Sequence, residues 1–223
     1  MKYLKTCQAK FIDRPNRFIA HVELNGDVET VHVKNTGRCK ELLIPGVTVI
    51  LEESDNESRK TKYDLIAVYK ENFGLINIDS QAPNKVAKEW LEDKDYTFIK
   101  PEYTYGNSRI DFYMEKEDKK YLMEVKGCTL ERDGVGYFPD APTERGVKHI
   151  YELIKAKEDG YEVALAFVIQ MEGVNEVLPN ISTHPEFGTA MSAAKEAGVK
   201  ILFIKCKVYE DRLEYEHNGI SWS

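Results

Sequence analysis

Asp111, Glu124 and Lys126 are the residues whose types and spacing could do chemistry in this sequence. They fall in the run Arg109-Ile-Asp-Phe-Tyr-Met-Glu-Lys-Glu-Asp-Lys-Lys-Tyr-Leu-Met-Glu-Val-Lys126, which reads as two strands joined by a charged turn. Side chains alternate faces along a strand, so Arg109, Asp111 and Tyr113 share one face of the first, and Leu122, Glu124 and Lys126 one face of the second. A turn symmetric about Glu117-Asp118 sets Asp111 opposite Glu124, with side-chain bases about 5 Å apart, and Arg109 opposite Lys126. A longer loop from Lys116 to Lys119 keeps the same pairing. Like charges placed this way destabilise a strand pair. A hard divalent cation, Mg²⁺ or Mn²⁺, removes the repulsion, since Mg²⁺ binds through one or two carboxylates and keeps several waters. Lys126 can then orient an attacking water or stabilise charge on a phosphate, which completes the parts of metal-assisted phosphodiester hydrolysis. The competing reading is a polar strand face on which Arg109 and Lys126 pair with the two acids, because Glu-x-Lys alone is a common pattern.

The elements that must position these groups are legible in outline. Residues 1–78 read as all-β. Phe18, Ala20, Val22 and Leu24 alternate with Ile19, His21 and Glu23 before the hairpin turn Asn25-Gly26. Further strands follow to Val33, after Pro45-Gly46, near Asp64 to Tyr69, and at Leu75 to Ile78. Short strands with few helix signals predict a small closed barrel of OB type, with Phe18 on its core face. From 79 to 223 the period changes. Pro83 suits a helix first turn, and Val86, Trp90 and Leu91 mark its apolar face. Thr143 caps a second helix through Val147, Ile150, Tyr151 and Ile154, stopped by Gly160. Val163 to Ile169 is a continuous apolar run, as in a strand covered on both faces. A last helix through Phe187, Met191 and Ala194, stopped by Gly198, leads to a second buried strand, Val199 to Ile204. The fold class expected is α+β or α/β: a barrel, then a mixed sheet flanked by helices in the order α-β-β-β-α-β-α-β.

Composition narrows the partners. With 42% hydrophobic and 31% charged residues the balance is globular. No run approaches the roughly 20 apolar residues that span a bilayer, and the polar start lacks a secretory signal, so no membrane partner and a cytoplasmic location are expected. The four cysteines are scattered without a Cys-x-x-Cys pair, and the five histidines are equally dispersed, so carboxylates are the natural metal ligands. The net charge of −7 opposes nonspecific nucleic-acid binding, which needs local basic patches to overcome it. Arg14, Asn16 and Arg17 form one such patch, Arg38 and Lys40 a second, and Arg59, Lys60 and Lys62 a third.

Several motifs in order along the chain resemble the sugar fermentation stimulation protein A family. They are Asn35-Thr-Gly-Arg38, Ser108-Arg-Ile-Asp-Phe112, Met123-Glu-Val-Lys126, Phe138-Pro-Asp-Ala141, Thr143-Glu-Arg-Gly-Val-Lys-His149 and Phe167-Val-Ile-Gln170. The resemblance implies an OB-like nucleic-acid-binding module joined to a domain of the PD-(D/E)xK nuclease superfamily, in a family regarded as DNA-binding and linked to regulation of sugar (maltose) metabolism. Asp111 and Glu124 match the metal-binding acids and Lys126 the catalytic lysine. Glu89 lies on the first helix, where related nucleases often place another acid, and Gln170 is a further catalytic candidate. Ile110 stands where the superfamily name has proline.

Glu89 reads equally as a solvated helix glutamate, and Gln170 equally as an amide capping backbone at a strand end. Arg145, Lys148 and His149 sit in the first turns of a helix, where cations oppose the dipole, so they read as phosphate contacts or as salt-bridge partners of Asp140 and Glu144. With Arg109 they complete the nucleic-acid candidates. Facing acids about 5 Å apart also suit a retaining glycosidase, but no aromatic sugar platform flanks them. Two functions follow: a metal-dependent nuclease acting on DNA, ahead of RNA, and a DNA-binding regulator without cleavage. A homodimer is left open.

Overall fold

The computed structural model describes residues 1–35, 37–56 and 58–222, with the side chains of 218–222 outside the description. Thr36, in the Asn35–Arg38 motif, therefore lies outside the described residues. The chain begins with β1 (Thr6–Asp13), β2 (Ile19–Leu24), β3 (Asp27–Val33), β4 (Thr48–Glu53), β5 (Tyr63–Lys70) and β6 (Gly74–Asn77). Asn25 and Gly26 take left-handed φ values of 56° and 92°, which fits the two-residue turn between β2 and β3. β1 pairs with β2 and β4, and β4 with β5; β3 then pairs parallel to β5, which closes five strands into a barrel. Ala20, Val22, Val31, Val33, Val49, Leu51, Leu65 and Val68 fill its interior. Phe18 does not. It is 51% exposed, because β2 begins only at Ile19 and Phe18 still belongs to the preceding loop.

The second part runs α1 (Ala82–Glu92), β7 (Phe98–Tyr105), β8 (Ser108–Lys116), β9 (Lys119–Cys128), β10 (Leu130–Arg132), β11 (Val135–Phe138), α2 (Glu144–Glu158), β12 (Glu162–Ile169), β13 (Val177–Pro179), α3 (Pro185–Glu196), β14 (Lys200–Tyr209) and β15 (Arg212–Trp222). A six-stranded sheet has the order β15-β14-β12-β9-β8-β7, with β12 parallel to both β9 and β14 and the outer pairs antiparallel. β12 shows why it sits at the centre. Val163, Leu165, Phe167 and Ile169 pack on the face covered by α2 and α3, while Ala166 and Val168 pack beneath α1. β15 and the small sheet β10-β11-β13 were not expected from the sequence. Their strands are either too short or too polar to register as periodic runs, although Asp133-Gly134 turns the β10–β11 hairpin with φ values of 52° and 81°.

The two parts share one apolar core, which passes from the barrel into the α2–α3 side of the sheet. Among the described residues no helix is long and apolar enough to cross a membrane.

Candidate metal centre and nucleic-acid groove

The β8–β9 ladder pairs Phe112 with Met123 and Lys116 with Lys119, so the chain turns about Glu117-Asp118 in the expected register. One step beyond Phe112 the Asp111 side chain enters the ladder: the Val125 N–H donates to Asp111 Oδ2 at 2.8 Å. The alternation of faces breaks there, since Ile110 packs in the same cluster as Tyr113 while Phe112 packs in the other. Across on β7, Glu102 takes a φ of 55° between the pairs Pro101–Phe112 and Tyr103–Ile110. This local irregularity in the β7–β8 pairing falls at Asp111.

Glu124 is 1% exposed. Its Oε1 accepts two charged or polar donors, Lys126 Nζ at 2.5 Å and His149 Nδ1 from α2. Its Oε2 is buried with no hydrogen-bond partner among the described residues. Asp111 Oδ1 accepts from Asn84 Nδ2 of α1 at 2.8 Å. The two acids are therefore held differently. Burial opposes ionisation of Glu124, but the His149 hydrogen bond and the Lys126 charge outweigh it and hold the carboxyl below its ordinary range. Burial, and then the charge of Glu124, push Asp111 upward, against the pull of Lys126, Val125 N–H and Asn84. Neighbouring titratable groups driven apart in this way are a mark of functional sites.

The residues fit a hard divalent cation. An anionic oxygen buried without a donor is costly, on the order of 1–3 kcal/mol or more, and a cation at Glu124 Oε2 would satisfy it. Among the described residues no three His, Cys, Asp or Glu side chains gather as a metal site. An ion here would rest on Asp111 and Glu124 and complete its shell with water, backbone or phosphate oxygens, in the manner of Mg²⁺.

The remaining candidates divide. Glu89 is not brought to the pair: its carboxylate receives the Met1 ammonium at 2.7 Å, and the α1 residue that reaches Asp111 is Asn84. Gln170 is buried, with Nε2 donating to Asn77 Oδ1 at 2.8 Å and to the Asp79 carbonyl at 3.0 Å, so it ties the sheet to the barrel. Its Oε1 sits where a Cβ on Gly127 would fall, at 2.3 Å, which explains a glycine immediately after Lys126. Arg109 is exposed and pairs with Glu102 at 3.2 Å rather than facing Lys126. His149, expected as a phosphate contact, is 5% exposed and turned onto Glu124 instead. Lys148 is exposed and donates to the Asn107 carbonyl at 3.3 Å. Asn84 was missed because a lone asparagine in a helix first turn carries no periodic signal.

A groove of about 930 Å³ lies between the barrel and the Phe138–Thr143 loop. Arg17, Arg38 and Lys40 line it, all exposed. Arg14 also lines it but is committed to structure: its guanidinium donates to the carbonyls of Arg17, Asn35, Gly37 and Arg38. Arg59 is likewise taken up by Asp64, at 2.6 Å. A smaller cleft of about 200 Å³ shares Gly37, Phe138 and Asp140 with the groove and continues to Pro83, Gly127 and Gln170. Pro83 and Gly127, which line the smaller cleft, are the chain neighbours of Asn84 and Lys126, while Asp111, Glu124 and Lys126 are not among the lining residues of either cleft. Gly37 is what lets the barrel loop close on Asp140, whose Oδ2 lies 2.3 Å from where a Cβ would stand and accepts the Arg38 N–H at 3.0 Å.

Residues 81–212 match the model of the sugar fermentation stimulation protein RE domain, and residues 12–78 that of the SfsA N-terminal OB domain. The chain belongs to the sugar fermentation stimulation protein family. Curated members of that family from Desulfitobacterium hafniense and Clostridium beijerinckii, each named sugar fermentation stimulation protein homolog, are 56% and 54% identical over 217 residues. Each alignment spans 96% of this chain, and it covers 95% and 96% of those two proteins respectively. The solved structure of Pyrococcus furiosus SfsA in complex with Ca²⁺ superimposes with a TM-score of 0.83 at 28% identity, covering 100% of this chain and 95% of that one. An OB domain at the N-terminus of a sugar fermentation stimulation protein suggests nucleic acid as the partner.

Proposed function

We propose that this sugar fermentation stimulation protein is a divalent-metal-dependent nuclease of the PD-(D/E)xK type, which takes a nucleic-acid strand, DNA ahead of RNA, along the groove to Asp111 and Glu124. One observation carries the reading: both donors at Glu124 converge on Oε1, leaving Oε2 buried without a hydrogen-bond partner among the described residues, with its charge felt by Asp111. Mg²⁺ or Mn²⁺ bound there would neutralise the two acids and act as a Lewis acid toward the scissile phosphate. Asp111 is held for this task by Asn84 and Val125 N–H, so its orientation does not depend on the ion. Lys126 donates to Glu124 Oε1, and with a cation in place its ammonium would stabilise charge that develops on a phosphate oxygen. Arg17, Arg38 and Lys40 supply phosphate neutralisation despite the net charge of −7, and exposed Phe18 supplies a stacking surface beside Arg17. That the Pyrococcus protein was solved with Ca²⁺, another hard oxygen-seeking cation, supports the choice of metal class.

The test is cleavage of end-labelled single- and double-stranded DNA and RNA with Mg²⁺, Mn²⁺ or EDTA, using wild type and Lys126→Ala. Removing a group that stabilises the transition state costs about 10²–10³ in rate, and the variant should still shift the substrate in a binding assay. Cutting that survives EDTA, or persists undiminished in Lys126→Ala, sinks the proposal. Tight binding without cutting by the wild type on every substrate would leave a DNA-binding regulator.

A further inference from the structure

His149 does not touch the groove, yet it is buried against the most deeply buried acid of the site. Its ring is engaged at both nitrogens. Nδ1 meets Glu124 Oε1, and Nε2 lies 3.4 Å from Arg145 Nε, one turn earlier on α2. Arginine can only donate, so Nε2 must accept and the proton must sit on Nδ1. A carboxylate can only accept, so Nδ1–H donates to Glu124. The direction of both bonds is thus fixed by the two end groups, Arg145 and Glu124.

We infer that His149 is a positioning residue, set in one tautomer between exposed Arg145 and Glu124, which pins Glu124 Oε1 so that Oε2 is left to the cation. This rests on the proposed metal site. Three features support it. Lys126 shares the same oxygen but is long and flexible, so it cannot fix the carboxylate plane by itself. His149 is held in the first turns of α2, whose N-cap Thr143 accepts from the Gly146 N–H at 3.1 Å, so its own backbone is anchored. Outer partners of ligating side chains orient them, and their loss typically weakens metal binding about 10–100-fold. The inference also assigns Arg145 a role as orienter of the imidazole, beyond any contact it makes with phosphate.

The experiment is Mn²⁺ titration by EPR, reading free Mn²⁺, on wild type, His149→Ala, His149→Asn and Arg145→Ala, with far-UV circular dichroism and melting to confirm that each is folded. His149→Ala should bind Mn²⁺ about 10–100-fold more weakly. His149→Asn, whose amide can donate from nearly the Nδ1 position, should recover most of the loss. In Arg145→Ala the ¹⁵N signal of His149 Nε2 should shift as that nitrogen loses its donor, while Nδ1, still facing the Glu124 carboxylate, keeps its proton. Folded His149→Ala with wild-type Mn²⁺ affinity, or an Nε2–H tautomer in the wild type, overturns the inference and leaves the nuclease reading standing. A wild type that binds no Mn²⁺ overturns both. One that binds Mn²⁺ in a His149-dependent way but cuts nothing overturns the nuclease reading alone.

Discussion

Asp111→Asn separates the metal hypothesis from a purely structural role for the acids, because it moves stability in opposite directions with and without the ion. In the metal-free protein Asp111 carries a charge that burial and Glu124 both disfavour. Unit charges about 5 Å apart repel by about 3 kcal/mol at an effective dielectric near 20. Lys126 cancels a large part of this, so neutralising Asp111 should return on the order of 1 kcal/mol. The hydrogen bonds survive the change. An asparagine oxygen can still accept the Val125 N–H, and its amide can donate to Asn84 once the Asn84 side chain turns over. For a chain of this size about 1 kcal/mol moves Tm by roughly 2–4 °C, so the metal-free variant should melt at or slightly above the wild type. Addition of Mn²⁺ at about 100 times its Kd stabilises a single-site protein by about 2.7 kcal/mol. The wild type should therefore gain roughly 5–10 °C with Mn²⁺, and the variant should gain none. Differential scanning fluorimetry reads both. A variant that melts below the wild type without metal, or that keeps the Mn²⁺-dependent rise, refutes the reasoning.

The groove makes a second prediction: Arg38→Ala with Lys40→Ala should lower the slope of log affinity against log salt by about 0.7 per lost phosphate contact on a single strand, and Phe18→Ala should weaken that strand by about 1–3 kcal/mol in fluorescence anisotropy; unchanged slopes would place the strand elsewhere. The pH dependence follows from the two shifts. Glu124, held low, adds stability that is present above its unfolded pKa and is lost as pH falls through its depressed folded value. Asp111, pushed up, binds its proton more readily when folded, so its contribution falls as pH rises from its ordinary range through the raised value. Metal-free Tm should therefore rise slightly on mild acidification before acid unfolding, and saturating Mn²⁺ should abolish that rise while its own affinity drops over the same interval. Gly127→Ala should destabilise by about 1–3 kcal/mol in urea unfolding, because its Cβ meets Gln170 Oε1 at 2.3 Å and Pro83 Cγ at 2.6 Å; a neutral result would mean that Gln170 is free to swing away.

A turn centred on Glu117-Asp118 was enough to read the hairpin and its register, which the ladder from Lys116–Lys119 to Phe112–Met123 keeps. The barrel was legible from strand alternation, and Phe18 misled because it continues the alternation of Ala20 and Val22 one residue past the end of the strand. What periodicity cannot carry is the partner of a polar side chain. Glu89 and Asn84 lie on the same helix, and nothing local says that one meets an ammonium from Met1 while the other meets Asp111. His149 sits in a run of basic residues that looks like a phosphate contact, and only the packing of α2 on the sheet turns it inward. Arg14 is the converse: a basic turn residue by sequence, but a fourfold carbonyl tie in three dimensions.

The joint between the two parts has a consequence for substrate choice. Lys34 lies within 2.9–3.6 Å of Glu52, Asp64 and Asp79, and Asp79 accepts from the Tyr3 hydroxyl. Tyr3 in turn accepts from Asn77, whose own oxygen receives Gln170 from the end of β12. On the far side Lys70 pairs with Glu131. Each bond is buried or half-buried, and removing one partner would leave a charge or an amide without compensation in the interior. A seam of this kind resists hinge motion, so the barrel groove and the carboxylates keep a fixed offset. On the proposed function, a strand held at Arg38 and Lys40 would have to pass the Gly37–Asp140 contact, where Phe138, Pro83 and Gly127 line the smaller cleft. If the proposal holds, the narrow cleft at that crossing would admit a single strand more readily than a rigid duplex, which would need the two parts to separate, and the seam opposes that separation.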